Sequence, residues 1–134
     1  MNKNKFIFVC NNDDWDFFKN IKENKDGEVS WKCTKDVKIG DEFYIHLGGK
    51  SITEKGIIAK GIVSSDSYIS EEEGRLRVNL IIDEVFEKPV TIFKQGMYQV
   101  QNSCGKIRDE IAEKIEKNIK EYLNQHHIES RADN

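Results

Sequence analysis

A chain of 134 residues, 37% hydrophobic and 34% charged, is one domain's worth of sequence with apolar residues for a single core. It holds one proline, Pro89, and no repeats or Ser/Gly-rich stretch, which excludes fibrous and disordered classes. A net charge of −3 excludes a broad nucleic-acid-coating surface, because such a surface needs excess basic charge.

The charge is uneven. Residues 1–40 hold 8 basic against 7 acidic groups, and residues 41–90 hold 6 against 10. An anionic partner would therefore be held locally, by a small basic lip or a pocket. No apolar run approaches the roughly 18–20 residues of a membrane span. Phe6–Cys10 is too short for a signal-peptide core, and Asp13 and Asp14 follow at once. These features set the expectation of a cytoplasmic protein with no membrane partner. Cys10, Cys33 and Cys104 are odd in number and widely spaced, which argues against a disulfide framework and a structural zinc site. No cofactor is expected.

The elements follow in chain order. Phe6–Cys10 is a short apolar run rich in aromatic and β-branched residues, the pattern of a central strand. Asn11-Asn12-Asp13-Asp14 stops it and supplies helix caps. Trp15, Phe18 and Ile21 fall at helical spacing and predict a short helix over 14–24, with Trp15 in the core. Residues 29–33 alternate as a strand. Lys38–Asp41 reads as a turn into a strand over 42–47, with Phe43, Ile45 and Leu47 on one face and Tyr44 and His46 on the other. Gly56–Ser64 is a strand in which Gly61 marks a bulge or a close backbone approach. Residues 66–74 form a polar connection, with Glu71–Glu73 a solvated loop. A long strand over 76–85 and a short edge strand over 90–93 follow, and 94–105 is irregular. Ile107, Ile111, Ile115 and Ile119 predict an amphipathic helix over 106–125, with a polar, frayed tail from 126. The sum is one α+β domain over 1–134, a curved sheet or small barrel with helices packed outside.

No phosphate-binding glycine loop, nucleophile elbow or zinc-protease motif is present in the sequence. Cys33 with His46 could form a thiol nucleophile and base, although a small packed cysteine at a strand end accounts for Cys33 more simply. His126 and His127 are adjacent, point apart on a helix, and fit a solvated helix end better than a metal site. The aromatic residues carry more. Trp31 stands in a polar strand just before a turn, where a flat ring serves either as core lid or as stacking surface. Tyr44, Tyr68 and Tyr98 also lie in polar settings.

Three segments in order, Trp31-Lys32-Cys33-Thr34, Ile39-Gly40-Asp41-Glu42-Phe43-Tyr44 and Gly56–Val63, resemble the EVE domain of the PUA-like superfamily, a relative of the YTH domain. The strand over 78–83, the stretch Tyr98–Ile107 and the closing helix extend the likeness over about residues 5–123. EVE-like domains fused to HNH nucleases are the nearest in pattern. There a "W-x-x-Q-x-S-G-x-x-I" stretch is usual; here Tyr98 replaces the Trp and one residue is added before Gly105.

The resemblance implies a PUA-like pseudo-barrel of about five or six strands with flanking helices. It also implies a non-enzymatic module that accepts one flipped-out, modified (often methylated) base, in DNA ahead of RNA. Trp31 matches the pocket tryptophan. Cys33 and Thr34 follow at nearly the spacing of backbone contacts. Asn11 and Asn12 stand where the opening strand delivers polar pocket residues. His46 and Leu47 match the strand end that lines the pocket, Tyr68 a second pocket aromatic, and Tyr98 a pocket wall or core residue. The fused relatives act with a nuclease, and no H-N-H arrangement occurs here, so a role in bacterial defence or restriction would need a separate nuclease effector. Two other classes stand beside this reading. One is a protein-interaction or regulatory domain with a vestigial pocket, suggested by the acidic balance and the terminal helix. The other is a small nucleotide enzyme using Cys33 or His46.

Overall fold

The computed structural model describes residues 4–23, 28–33, 37–94, 96–98 and 104–132, with the backbone alone at 23 and 126–132. Among the described residues, eight strands and two helices run in the order β1 (Lys5–Asn11), α1 (Phe17–Glu23), β2 (Glu28–Lys32), β3 (Glu42–Gly48), β4 (Gly56–Val63), β5 (Tyr68–Ile69), β6 (Leu76–Val85), β7 (Thr91–Ile92), β8 (Cys104–Lys106) and α2 (Asp109–Ala132). The sheet order is β2-β6-β4-β3-β1-β8, with the two-residue strands β5 on β6 and β7 on β4. β1 and β3 pair parallel, and the other pairs are antiparallel, so the sheet is mixed. One core cluster takes Trp31 from one edge strand and Cys104 from the other, because the sheet curls toward closure.

Period-two alternation splits the strands between two layers. Phe6, Phe8 and Cys10 of β1 and Phe43, Ile45 and Leu47 of β3 face the layer capped by Phe17 of α1. Ile7 and Tyr44 face the other, where α2 lays down Ala112, Ile115 and Ile119. Both faces of the central strands are covered, which is why Tyr44 and His46 are buried although they oppose the Phe43 face. Each fully buried large side chain contributes about 1.5–3 kcal/mol of transfer free energy.

The Gly40-Asp41 turn has a physical reason. Gly40 adopts φ 91°, open to glycine at no steric cost. The buried Asp41 carboxylate accepts the backbone N–H groups of Lys38 (3.0 Å) and Asn4 (3.2 Å). Its carbonyl accepts Val63 N–H at 2.8 Å, so one residue ties the turn to the start of β1 and the end of β4. Gly61 serves both expected purposes. The β4–β6 register shifts between Lys60 and Gly61, and a Cβ at Gly61 would lie 1.9 Å from the Ile81 carbonyl oxygen.

Several expectations are corrected. The first helix starts at Phe17, not 14, because Asp16 is its cap and accepts Lys19 N–H at 3.2 Å. Phe17 and Ile21 therefore face inward, Phe18 is 43% exposed, and Trp15 precedes the helix. The polar connection contains β5, and the irregular stretch ends in β8, whose three residues gain β1 as partner. The last helix begins at Asp109 and stays helical to Ala132, where a frayed tail was expected from 126. Ile107 is buried from the strand side of that junction, its N–H bonded to the Lys5 carbonyl at 2.9 Å.

Candidate nucleic-acid interface

The end of β1 at Asn11 and the loop 12–16 that leads into α1 are shaped by their own short polar side chains. Asn11 Oδ1 accepts Asp13 N–H at 3.0 Å, and its carbonyl accepts the N–H groups of Asp14 and Trp15. Asn12 N–H bonds the Gly48 carbonyl at 2.9 Å, and Asn12 Oδ1 accepts Phe17 N–H at 2.9 Å. The Asp13 carboxylate accepts the N–H groups of Lys50 and Ser51 and the Ser51 hydroxyl, clamping the loop after β3 to the loop after β1. The Ser51 hydroxyl bond is the leading cause that lowers the Asp13 pKa below the ordinary carboxylate range. Gly49 (φ 120°) is required where the loops meet, since a Cβ there would lie 2.8 Å from Asn11 Oδ1.

Trp15 leaves this loop half-buried, its ring edge-on to Trp31 at 5.2 Å and 79°. Trp31, on β2, is 9% exposed and belongs to the core cluster that holds Cys10, Leu47 and Val78. Trp31 is thus a core residue, and Trp15, packed against the same cluster, is the more exposed of the two rings. Cys33 is half-buried against the same cluster, and Thr34 lies outside the described residues. Burial holds the Cys10 and Cys33 thiols protonated at neutral pH. Cys10 is pushed up to about 12, with the Asp16 charge adding to burial, and Cys33 to about 11, with the Cys104 thiol adding.

His46 and Tyr98 are brought together elsewhere. His46 Nδ1 lies 2.8 Å from Tyr98 Oη, and both rings contact Phe93. Tyr98 and Phe93 belong to the α2 layer. Burial, with Lys55 adding, pulls the His46 pKa down to about 4, so the imidazole is neutral at pH 7. Burial raises the Tyr98 hydroxyl above the usual phenol range. Cys33 and His46 sit in different layers, so the thiol–imidazole pair is not assembled, and each is shifted away from the ionised form it would need.

Tyr68 lies on the outer face of the β2–β6 ladder and is 36% exposed. Its hydroxyl donates to Asn79 Oδ1 at 2.7 Å and lies 3.2 Å from Ser30 Oγ. Arg77 donates to Ser30 Oγ at 2.6 Å, to the Ser30 carbonyl at 2.9 Å and to Glu73 at 3.3 Å. Ser30 and Trp31 are sequence neighbours on opposite strand faces, so Tyr68 does not share the Trp31 layer. The expected set therefore divides: Trp31, Cys33 and Leu47 share one core cluster, Asn11 and Asn12 shape the turn before α1, His46 and Tyr98 form another group, and Tyr68 stands apart on the outer ladder. Sequence reasoning missed the Trp15–Trp31 ring contact and the Asp13 clamp. The Asn-Asn-Asp-Asp run carried the signal, because such residues build turns whose side chains bond backbone.

Among the described residues no group of three or more His, Cys, Asp or Glu side chains could hold a metal, and no helix is long and apolar enough to cross a membrane.

No protein-family model matches the chain, and no curated protein matches it. Solved structures do. A hypothetical protein from Leishmania major superposes with a TM-score of 0.62 at 10% identity, over 90% of this chain and 98% of that one. A protein from Pseudomonas putida superposes with a TM-score of 0.60 at 14% identity, over 85% and 98%. Human THYN1, solved in complex with 5-methylcytosine-containing DNA, superposes with a TM-score of 0.61 at 8% identity, over 87% and 98%. Likeness at such low identity is a likeness of fold, and it spans nearly the whole of each chain.

Proposed function

We propose that this EVE-like domain of PUA-like fold is a non-enzymatic nucleic-acid reader that takes one flipped-out, modified base against the Trp15–Trp31 pair. The carrying observation is that pair, set beside a loop clamped by Asp13 on a fold shared with a protein that binds 5-methylcytosine DNA. A base extruded from a duplex loses its stack, and recovering it on an aromatic ring is worth about 1–3 kcal/mol. Trp15 is the accessible ring, so the base stacks on it or displaces it to reach Trp31. The side-chain amides of Asn11 and Asn12, with Cys33 as a further contact, read the base edge. A methyl group adds about 1 kcal/mol if it is buried there.

Lys19 and Lys22 on α1, Lys32 on β2 and Lys50 in the clamped loop are exposed cations on the elements that flank this pair. They supply phosphate contacts locally, as an acidic chain requires. The reading places DNA ahead of RNA as partner, with a separate nuclease effector in a cytoplasmic defence or restriction role.

The test is a titration of duplexes with and without 5-methylcytosine against wild type, Trp15→Ala and Trp31→Phe. Methylated duplex should bind best to wild type, with roughly tenfold loss in Trp15→Ala, from one lost stacking contact. Equal, weak binding in every combination would overturn the reading. The burial of Trp31 favours a second one, a regulatory domain whose pocket no longer opens. That reading predicts this flat outcome together with a nucleic-acid-free protein partner.

A further inference from the structure

We infer that the groove between the end of β6 and α2 docks a partner protein, through a segment carrying arginine or lysine beside an apolar side chain. This goes beyond base reading and does not rest on it. The groove is a hollow of about 420 Å³ lined by the end of β6 through Glu87 and by Tyr122 and Leu123 of α2. Its floor is Phe86, 2% exposed and edge-on to Tyr122 at 5.3 Å. The Tyr122 hydroxyl is held by Glu87 N–H at 3.2 Å, so the aromatic wall is fixed to the strand end. Val85 and Leu123 are each 42% exposed beside it. Large apolar side chains that flank a hollow gain by being covered.

Charge selects what covers them. Asp83, Glu84 and Glu87 also line the groove, and among the described residues none of them is in an ion pair. The cation opposite Glu84 in the β4–β6 register is Lys60, and its ammonium is bound to both Glu116 carboxylate oxygens, at 2.9 and 3.2 Å. Nucleic acid is a poor occupant, because phosphates would meet carboxylates. A second copy in a two-fold contact would set the same carboxylates face to face. An arginine or lysine side chain suits both parts of the groove. Its aliphatic stem covers Val85 and Leu123 while its head reaches the carboxylates. The Phe86–Tyr122 floor belongs to the α2 layer, away from Trp31, so both surfaces can be occupied together.

The probe is a fluorescein-labelled peptide of leucines flanked by arginines, with two controls, one with glutamate for arginine and one with serine for leucine. The full chain should bind the Arg/Leu peptide and bind both controls at least roughly tenfold more weakly, since each half of the contact is lost in turn. Asp83→Lys with Glu87→Lys should transfer binding to the Glu/Leu peptide, and Leu123→Ser should weaken the Arg/Leu peptide. Glu71→Lys with Glu72→Lys, a reversal on a remote loop, should change nothing. Equal loss in that remote variant would reduce the effect to net charge and overturn the proposal. So would binding indifferent to Asp83 and Glu87. Light scattering gives the other decisive result: self-association abolished by Leu123→Ser would assign the groove to a second copy instead.

Discussion

His46 and Leu47 are adjacent on β3, yet the sheet stands between them: the imidazole meets the Tyr98 hydroxyl at 2.8 Å in the α2 layer, while Leu47 packs into the layer of Trp31. Two residues expected to line one pocket thus serve two places, and they should respond differently to substitution. Leu47→Ala should disturb the core cluster that holds Trp31 and weaken duplex binding. His46→Gln should leave binding near wild type. Fluorescence titration of both variants separates the two.

His46 also makes stability depend on pH. Its folded pKa is about 4 against an ordinary value of 6.5, so the unfolded chain binds the proton first. Stability is complete above about pH 6.5, falls as the pH drops toward 4, and is flat in this respect below that, a loss of at most about 3 kcal/mol. Urea unfolding at pH 7.5, 5.5 and 4.5 should show the decline, and His46→Gln should flatten it.

Asp13 acts on local order. Asp13→Ala removes the acceptor of three donors on Lys50 and Ser51. Hydrogen exchange at those two amides should quicken and duplex binding should weaken, with little change in the global unfolding midpoint, because the clamp joins exposed loops. The folded Asp13 pKa is lowered, so its contribution is complete above the ordinary aspartate range and is lost as the pH falls through that range and below it.

Gly61 tolerates no side chain. A Cβ would meet the Ile81 carbonyl oxygen at 1.9 Å and the Phe43 ring at 2.7 Å, and neither can retreat from the middle of the sheet. Gly61→Ala should cost about 3 kcal/mol or more, read as a lower unfolding midpoint in urea.

Beside its apolar contacts with the sheet, α2 makes a polar one through Glu116, which accepts Tyr44 Oη–H at 3.0 Å and the Lys60 ammonium. Tyr44→Phe should cost about 1 kcal/mol, since Lys60 still satisfies the carboxylate. Glu116→Ala should cost somewhat more, about 1–2 kcal/mol, because it leaves both donors without their acceptor at a half-buried site. Thermal melts of the two variants check the order.

Much of this was readable from residue order. The alternation Phe43–Ile45–Leu47 against Tyr44–His46 assigned the two faces of β3 correctly, because side-chain direction in a strand is local. The Gly40-Asp41 turn and the Gly61 irregularity were legible too, the first because Gly40 takes a positive φ and the second because Gly61 lacks the Cβ that the Ile81 carbonyl would meet. β8 was not legible: Cys104–Lys106 has little strand propensity and is held by its pairing with Phe6–Phe8, about a hundred positions away.

Periodicity thus states which side of its own strand or helix a residue occupies, and that suffices for the mixed α+β architecture and for a terminal helix with one apolar face. Convergence is another matter. That Trp31 meets Trp15, that Tyr68 turns away on the outer ladder, and that His46 pairs with Tyr98 under α2 all depend on sheet curl, strand register and which distant segment covers each face. These are long-range contacts, whose partners no local pattern names, and they alone settle which of the expected side chains meet.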